Sequence, residues 1–335
     1  SPPCAPTTPA LTGALKAVED IKGDLLRRWI RLDVECLSLA SDRFRYILSG
    51  VADQLPTTQK STLAAGLPNN GRFTGIEAYI STPSASASES TKSVSGEQTS
   101  DEATDMRGEE IDTLEKAKKV FLRGARRIER AKTFFPLDGH VTDHVHLLSE
   151  HSKLYKGLAV FDCDVKRQLA MTNRRIEMLK PMLLSLNRVA FENPHKTISY
   201  ELGEAYMLQM ETKTGKYSDP STGELHLDRM KKAEVPKVND YCINAVHFFA
   251  HFTSMYRSVE AAGNSGMLVE SDPSLDLAVR MKAAASLLCR KPDNAFLSAE
   301  EVRPFLNSHF MAARMLGRIM PIHGSTGESA KGTVL

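Results

Sequence analysis

A chain of 335 residues, 41% hydrophobic and 25% charged, has the composition of a soluble globular protein with one large or two medium cores. No run approaches the roughly 18–20 apolar residues that a membrane span needs, and charges interrupt every apolar cluster, which argues against direct membrane insertion. The formal net charge of +2 exerts no global pull toward nucleic acid. Locally the balance is uneven: RGARRIERAK (Arg123 to Lys132) and DRMKKAEVPK (Asp228 to Lys237) are basic, and the segment from Glu97 to Glu115 is acidic.

In chain order, residues 1–13 are expected to be a disordered end. SPPCAPTTPALTG has no initiating Met, charged leader or long apolar core, so it does not resemble a secretion signal and reads as the start of a fragment. A helical segment follows over 14–50. Residues 51–108 read as a low-complexity linker or insertion, since the stretch from Ser81 to Asp105 is nearly devoid of large apolar residues and cannot offset its chain entropy by burial. From 109 to 320 helical patterns succeed one another with short loops and no strand-like alternation. Residues 321–335 read as a disordered tail.

The best-formed helix runs from Val238 to Val259. Val238, Tyr241, Ala245, Phe248, Phe252, Met255 and Val259 make an apolar stripe, widened by Cys242, Val246, Phe249 and Tyr256. The opposite stripe of Asp240, Asn244, His247, His251, Ser254 and Ser258 is expected to reach solvent or a partner. Leu147, His151, Leu154, Leu158 and Phe161 mark a second helix, and Ile198, Leu202, Ala205 and Gln209, with Tyr206 beside them, a third. Pro136, Pro194 and Pro236 fall at helix starts or stops, and Asp138-Gly139 is a turn signal. Helices in series without strands mean a bundle or a solenoid. Degenerate traces of a tetratricopeptide repeat appear in Gly124, Ile128, Ala131 and Pro136, in LGEAY (Leu202 to Tyr206) and in Leu316-Gly317.

The five cysteines, Cys4, Cys36, Cys163, Cys242 and Cys289, form no CxxC pair, which suits free thiols in a reducing compartment. Cys163, Cys242 and Cys289 sit in apolar helical patterns, where a buried inert thiol is expected. Ten histidines raise a metal reading. His140, His144, His146 and His151 cluster, and His247 and His251 have zinc-helix spacing, but Phe248 stands where H-E-x-x-H needs its Glu. Capping or solvated histidines are the better reading, with Thr142 or Asp143 capping the helix after Val141. There is no G-x-S-x-G, no P-loop and no G-x-G-x-x-G, so neither an enzyme nor a cofactor is expected.

Particular segments carry more. They are AKTFFPLDG (Ala131 to Gly139), VTDH (Val141 to His144), HSKLYK (His151 to Lys156), RRIEMLKP (Arg174 to Pro181), SYELGEAY (Ser199 to Tyr206), KVNDYCINAVHFF from Lys237, and EVRPFLNSHFMAARMLGRI (Glu301 to Ile319). More faintly, LLRRWIRLDVECLSLA (Leu25 to Ala40) belongs to the same series. In this collinear order the chain resembles the KIF-binding protein family, over about two thirds of its length.

The resemblance implies an all-α fold, a tetratricopeptide-like, right-handed solenoid of antiparallel helix pairs with a disordered internal linker. It also implies a non-enzymatic partner of kinesin motor domains that blocks microtubule attachment by steric competition, cytoplasmic and cytoskeleton-associated. Partner-binding candidates are Arg174, Arg175, Asn193, His195, Lys196, Lys231, Lys232, Lys237 and Asn244. Arg174 and Arg175 fit either a contact edge or a guanidinium bridging helices. The family also carries a helical half ahead of Leu15, and its last helices are not recognisable after Arg318, so part of its surface is expected to lie outside this chain. The oligomeric state stays open. The alternatives are a general peptide-binding helical repeat scaffold and, from another class, a zinc hydrolase built on the histidines.

Overall fold

A computed structural model describes residues 9–48, 110–219, 226–256, 276–288 and 297–320. The stretch 51–108, the tail 321–335, Cys4, Cys289, Ser258 and Val259 lie outside the described residues. Within them the chain is helical, with no strand. Its α-helices are α1 (Pro9–Leu48), α2 (Leu114–Phe134), α3 (Val141–Val160), α4 (Val165–Ser185), α5 (Glu192–Thr214), α6 (Val235–Ser254), α7 (Leu277–Leu287) and α8 (Ala299–Leu316).

Local chemistry sets the helix ends. Thr113 Oγ1 accepts from the Lys116 amide at 3.4 Å to start α2, and Asp164 Oδ1 accepts from Lys166 N at 2.8 Å to start α4. At α8 the Glu301 carboxylate reaches back to the Ser298 amide at 3.2 Å and to its hydroxyl at 2.9 Å, the returning arm of a capping box. After α2 the chain turns at Pro136 and then at Gly139, whose φ of 94° favours a residue without Cβ. Two boundaries differ from expectation. α1 already includes residues 9–13, inside the stretch read as disordered. The N-cap of α3 is His140, which makes no side-chain cap bond, so Thr142 and Asp143 lie within its first turn.

Packing follows chain order. α1 lies against α2 and α3, α3 against α4, α4 against α5, α5 against α6, and α6 against both α7 and α8. Two apolar cores result. One joins Ile30, Val34 and Leu37 of α1 to Val120 and Ile128 of α2 and to Leu147, Leu154 and Leu158 of α3. The other gathers Leu179 and Leu183 of α4, Ile198, Leu202 and Met210 of α5, Val238, Cys242, Val246 and Phe249 of α6, and Ala312 and Met315 of α8. α3 serves both, since its Val145 and Leu148 face the second core.

Two glycines set how closely the helices approach. A Cβ on Gly124 of α2 would stand 2.7 Å from Leu154 Cδ1 of α3, and one on Gly203 of α5 would stand 2.8 Å from the Phe249 ring of α6. These are among the small positions that the sequence marks as repeat-like.

Candidate partner-binding surface

The α5–α6 hairpin carries most of the sequence candidates and divides them between its two ends. At the start of α5, Asn187 Oδ1 accepts from the amides of Val189 and Ala190 at 2.9 and 3.1 Å, folding the loop onto itself. His195 then points inward: it is buried, its Nε2 lies 2.9 Å from Leu186 O, and its ring stands 6.0 Å from that of His251. Burial pushes its pKa down, partly offset by the bond to Leu186. Lys196 is tied in place, with Nζ 2.7 Å from Glu192, 3.6 Å from Glu301 and 4.1 Å over the Tyr256 ring. Asn193 alone of these three is exposed.

At the opposite end, Glu234 collects Lys216 at 2.9 Å, Tyr217 Oη at 2.8 Å and Lys213 at 3.4 Å. The hydrogen bonds from Lys216 and Tyr217 hold its carboxyl down at about 2. Around this acid Lys231, Lys232 and Lys237 are exposed. Asn244, further along α6, is half-buried. Since α6 is 20 residues long, the two ends lie about 30 Å apart. The structure therefore does not bring the candidates into one patch.

Arg174 and Arg175 separate as well. Arg174 is exposed and pairs with Glu177 at 3.2 Å, an ordinary surface pair. Arg175 is 1% exposed, and its Nε donates to Ser152 Oγ of α3 at 2.9 Å. Ser149 Oγ donates to Glu201 of α5, also buried, so the polar cluster ties α3, α4 and α5 together. Burial lowers the pKa of Arg175 and raises that of Glu201, each toward its neutral form. Arg175 and His195 are thus interior residues and offer no surface to a partner. Both lie on apolar helix faces, where neighbouring helices close over them.

Two further expectations need correction. The polar stripe of α6 does not reach solvent as a whole, because His247, His251 and Ser254 are buried beneath neighbouring helices. Desolvation lowers the pKa of His251 to about 3. Cys163 is exposed in the α3–α4 loop, since the helix ends before it at Val160, whereas Cys242 is buried with its thiol pushed up to about 12. The clustered histidines of α3 face different neighbours: His144 Nδ1 lies 3.0 Å from Phe135 O, and His151 stacks on Tyr155 at 5.2 Å. Among the described residues no three His, Cys, Asp or Glu side chains come together to hold a metal, and no helix is long and apolar enough to cross a membrane.

The sequence reading missed the Lys213, Lys216 and Tyr217 cluster on Glu234; the basic run around Lys231 was its only signal. It also missed the exposed stripe of Val302, Leu306 and Phe310 on α8, whose i, i+4, i+8 spacing looks like that of a buried face.

The sequence model of the family described as KIF-1 binding protein C terminal matches residues 14–327. The chain belongs to this family. A KIF-binding protein of Danio rerio is 31% identical over 195 residues, 56% of this chain and 30% of the relative. One of Xenopus tropicalis is 28% identical over 214 residues, 63% of this chain and 28% of the relative. One of Homo sapiens is 33% identical over 147 residues, 43% of this chain and 22% of the relative. These matches span less than a third of each relative's length. No solved structure matches the chain. The KIF-1 binding protein family segments legible in the sequence, such as HSKLYK, RRIEMLKP and SYELGEAY, fall on the packed helices α3, α4 and α5.

Proposed function

We propose that this chain binds kinesin motor domains and blocks their attachment to microtubules by steric competition, acting as a non-enzymatic regulator in the cytoplasm near the cytoskeleton. Membership of the KIF-1 binding protein family over residues 14–327 carries this reading, together with relatives named KIF-binding protein. In the same reading the serial helices form a right-handed, tetratricopeptide-like solenoid. The close approaches at Gly124 and Gly203 support it, because such repeats keep small residues where paired helices touch.

Of the candidates, Arg174, Asn193, Lys231, Lys232 and Lys237 have exposed side chains and form the proposed contact set. A partner touching both ends of the α5–α6 hairpin must span about 30 Å.

Binding of isolated kinesin motor domains, followed by size-exclusion chromatography and calorimetry in the absence of microtubules, tests the contact. A stable complex that weakens on charge reversal of Lys231, Lys232 and Lys237 is the expected result. No complex with any motor would leave the peptide-scaffold reading in its place.

A further inference from the structure

The basic run Arg123 to Lys132 has no part in the proposed motor contact, yet it borders a groove. This depression of about 270 Å³ lies between α1 and α2. Its floor is apolar and aromatic: Leu25 and Trp29 from α1, Phe134 from α2. Lys22, Arg126 and Arg130 stand on its rim, all exposed and none with a carboxylate partner among the described residues. The fourth cation, Arg127, is already committed. It pairs with the buried Asp33 at 2.6 Å, and its guanidinium lies 5.1 Å over the Trp29 ring. The floor continues along α1, where Ile21 and Val18 are 67% and 46% exposed at helical spacing from Leu25.

We infer that this groove docks an acidic segment of a partner protein, one that inserts an apolar side chain over Trp29 and sets carboxylates against Lys22, Arg126 and Arg130. Any element covering Leu25 and Trp29 also removes the rim cations from water. Desolvated cations without a partner are costly, so the covering element must bring its own negative charges. The volume is just below the roughly 300–1,000 Å³ of small-molecule pockets, and suits one inserted side chain. Two arginines on the rim favour planar carboxylates, which they grip in a fork. A handful of cations around a concave apolar floor is a poor match for nucleic acid, whose binding draws on many phosphate contacts.

Trp29 is the chain's only tryptophan, so the groove carries its own reporter. The test is a fluorescence titration of the whole chain with a synthetic heptapeptide of Glu and Asp around a central Phe. Its comparison probes are the same peptide with Ala at the centre, a Lys-rich counterpart, and phosphatidylserine vesicles. Saturable change in Trp29 emission with the Phe peptide, weaker with the Ala peptide, absent with the Lys peptide and fading with added salt, is expected.

Arg126→Glu with Arg130→Glu should weaken the peptide by about tenfold or more, while Lys282→Glu, an exposed change on α7, leaves it unaltered. Should the double variant unfold by circular dichroism, Lys22→Glu repeats the test from the α1 wall. Unchanged affinity in the rim variants, no emission change with the Phe peptide, or a response to vesicles alone would overturn the proposal. The titration contains no motor, so its outcome is independent of the motor-binding reading.

Discussion

The two cores of this chain handle buried charge in opposite ways. In the α1–α2–α3 core, Asp33 is fully buried, but Arg123 at 2.7 Å and Arg127 at 2.6 Å meet both its oxygens while keeping some contact with solvent. In the core built on α4, α5, α6 and α8, Arg175 and Glu201 are buried together without a direct ion pair, and both terminal nitrogens of Arg175 lack a hydrogen-bond partner. His195 and His251 add desolvated imidazoles at the end of that same core. The first arrangement fastens α1 to α2, whose sequences lie on either side of the stretch 51–108. The second leaves polar groups desolvated inside the larger core. A buried charge can therefore act as a fastener or as a weak point, depending on whether its partner reaches it.

The largest expected effect tests the packing of the second core. Phe249 is fully buried against Gly203, and Phe249→Ala should cost about 3–5 kcal/mol in chemical denaturation. Gly203→Ala should destabilise by about 1–3 kcal/mol, because the added Cβ meets an aromatic ring. Gly124→Ala should cost less, since Leu154 Cδ1 is the end of a flexible side chain. Asp33→Ala should cost about 3 kcal/mol, the low end for breaking a buried pair, because both arginines can turn outward. Conversely, Arg175→Met combined with Glu201→Leu should be neutral or stabilising, whereas Arg175→Met alone destabilises.

Acid should weaken both halves, through His151 beside α2 and His251 on α6. The imidazoles of His151 and His251 stay neutral in the fold down to about 4 and about 3, while in the unfolded chain they protonate near 6.5. The unfolded state then binds more protons in that window, so stability should fall as pH drops from 6.5 toward 3. Denaturant midpoints at pH 7, 5 and 4 measure this, and His251→Phe should flatten the slope. The smallest effect belongs to Arg174→Ala, which removes only an exposed pair and should leave the denaturant midpoint essentially unchanged.

Helical periodicity made most of this fold readable. Val238, Cys242, Val246 and Phe249 are core residues where their spacing put them, as are Leu147, Leu154 and Leu158. The prolines and Asp138-Gly139 marked the breaks. Periodicity also misled, because it reports which face a residue occupies and not what lies against that face. The polar stripe of α6 is largely covered by neighbouring helices, and the apolar stripe of Val302, Leu306 and Phe310 is bare.

The candidate surface was less legible for the same reason. RRIEMLKP placed Arg174 and Arg175 side by side, but helical rotation sends one to solvent and the other to Ser152. The groove around Trp29 joins residues about 100 positions apart in sequence, a pairing only the antiparallel packing of α1 on α2 creates.

Microtubule co-sedimentation of isolated kinesin motor domains, with and without this chain in excess, tests the central proposal most directly. Motors leaving the pellet and entering a soluble complex with the chain is the predicted result. Motors that stay wholly on microtubules, with the chain left in the supernatant, would contradict it.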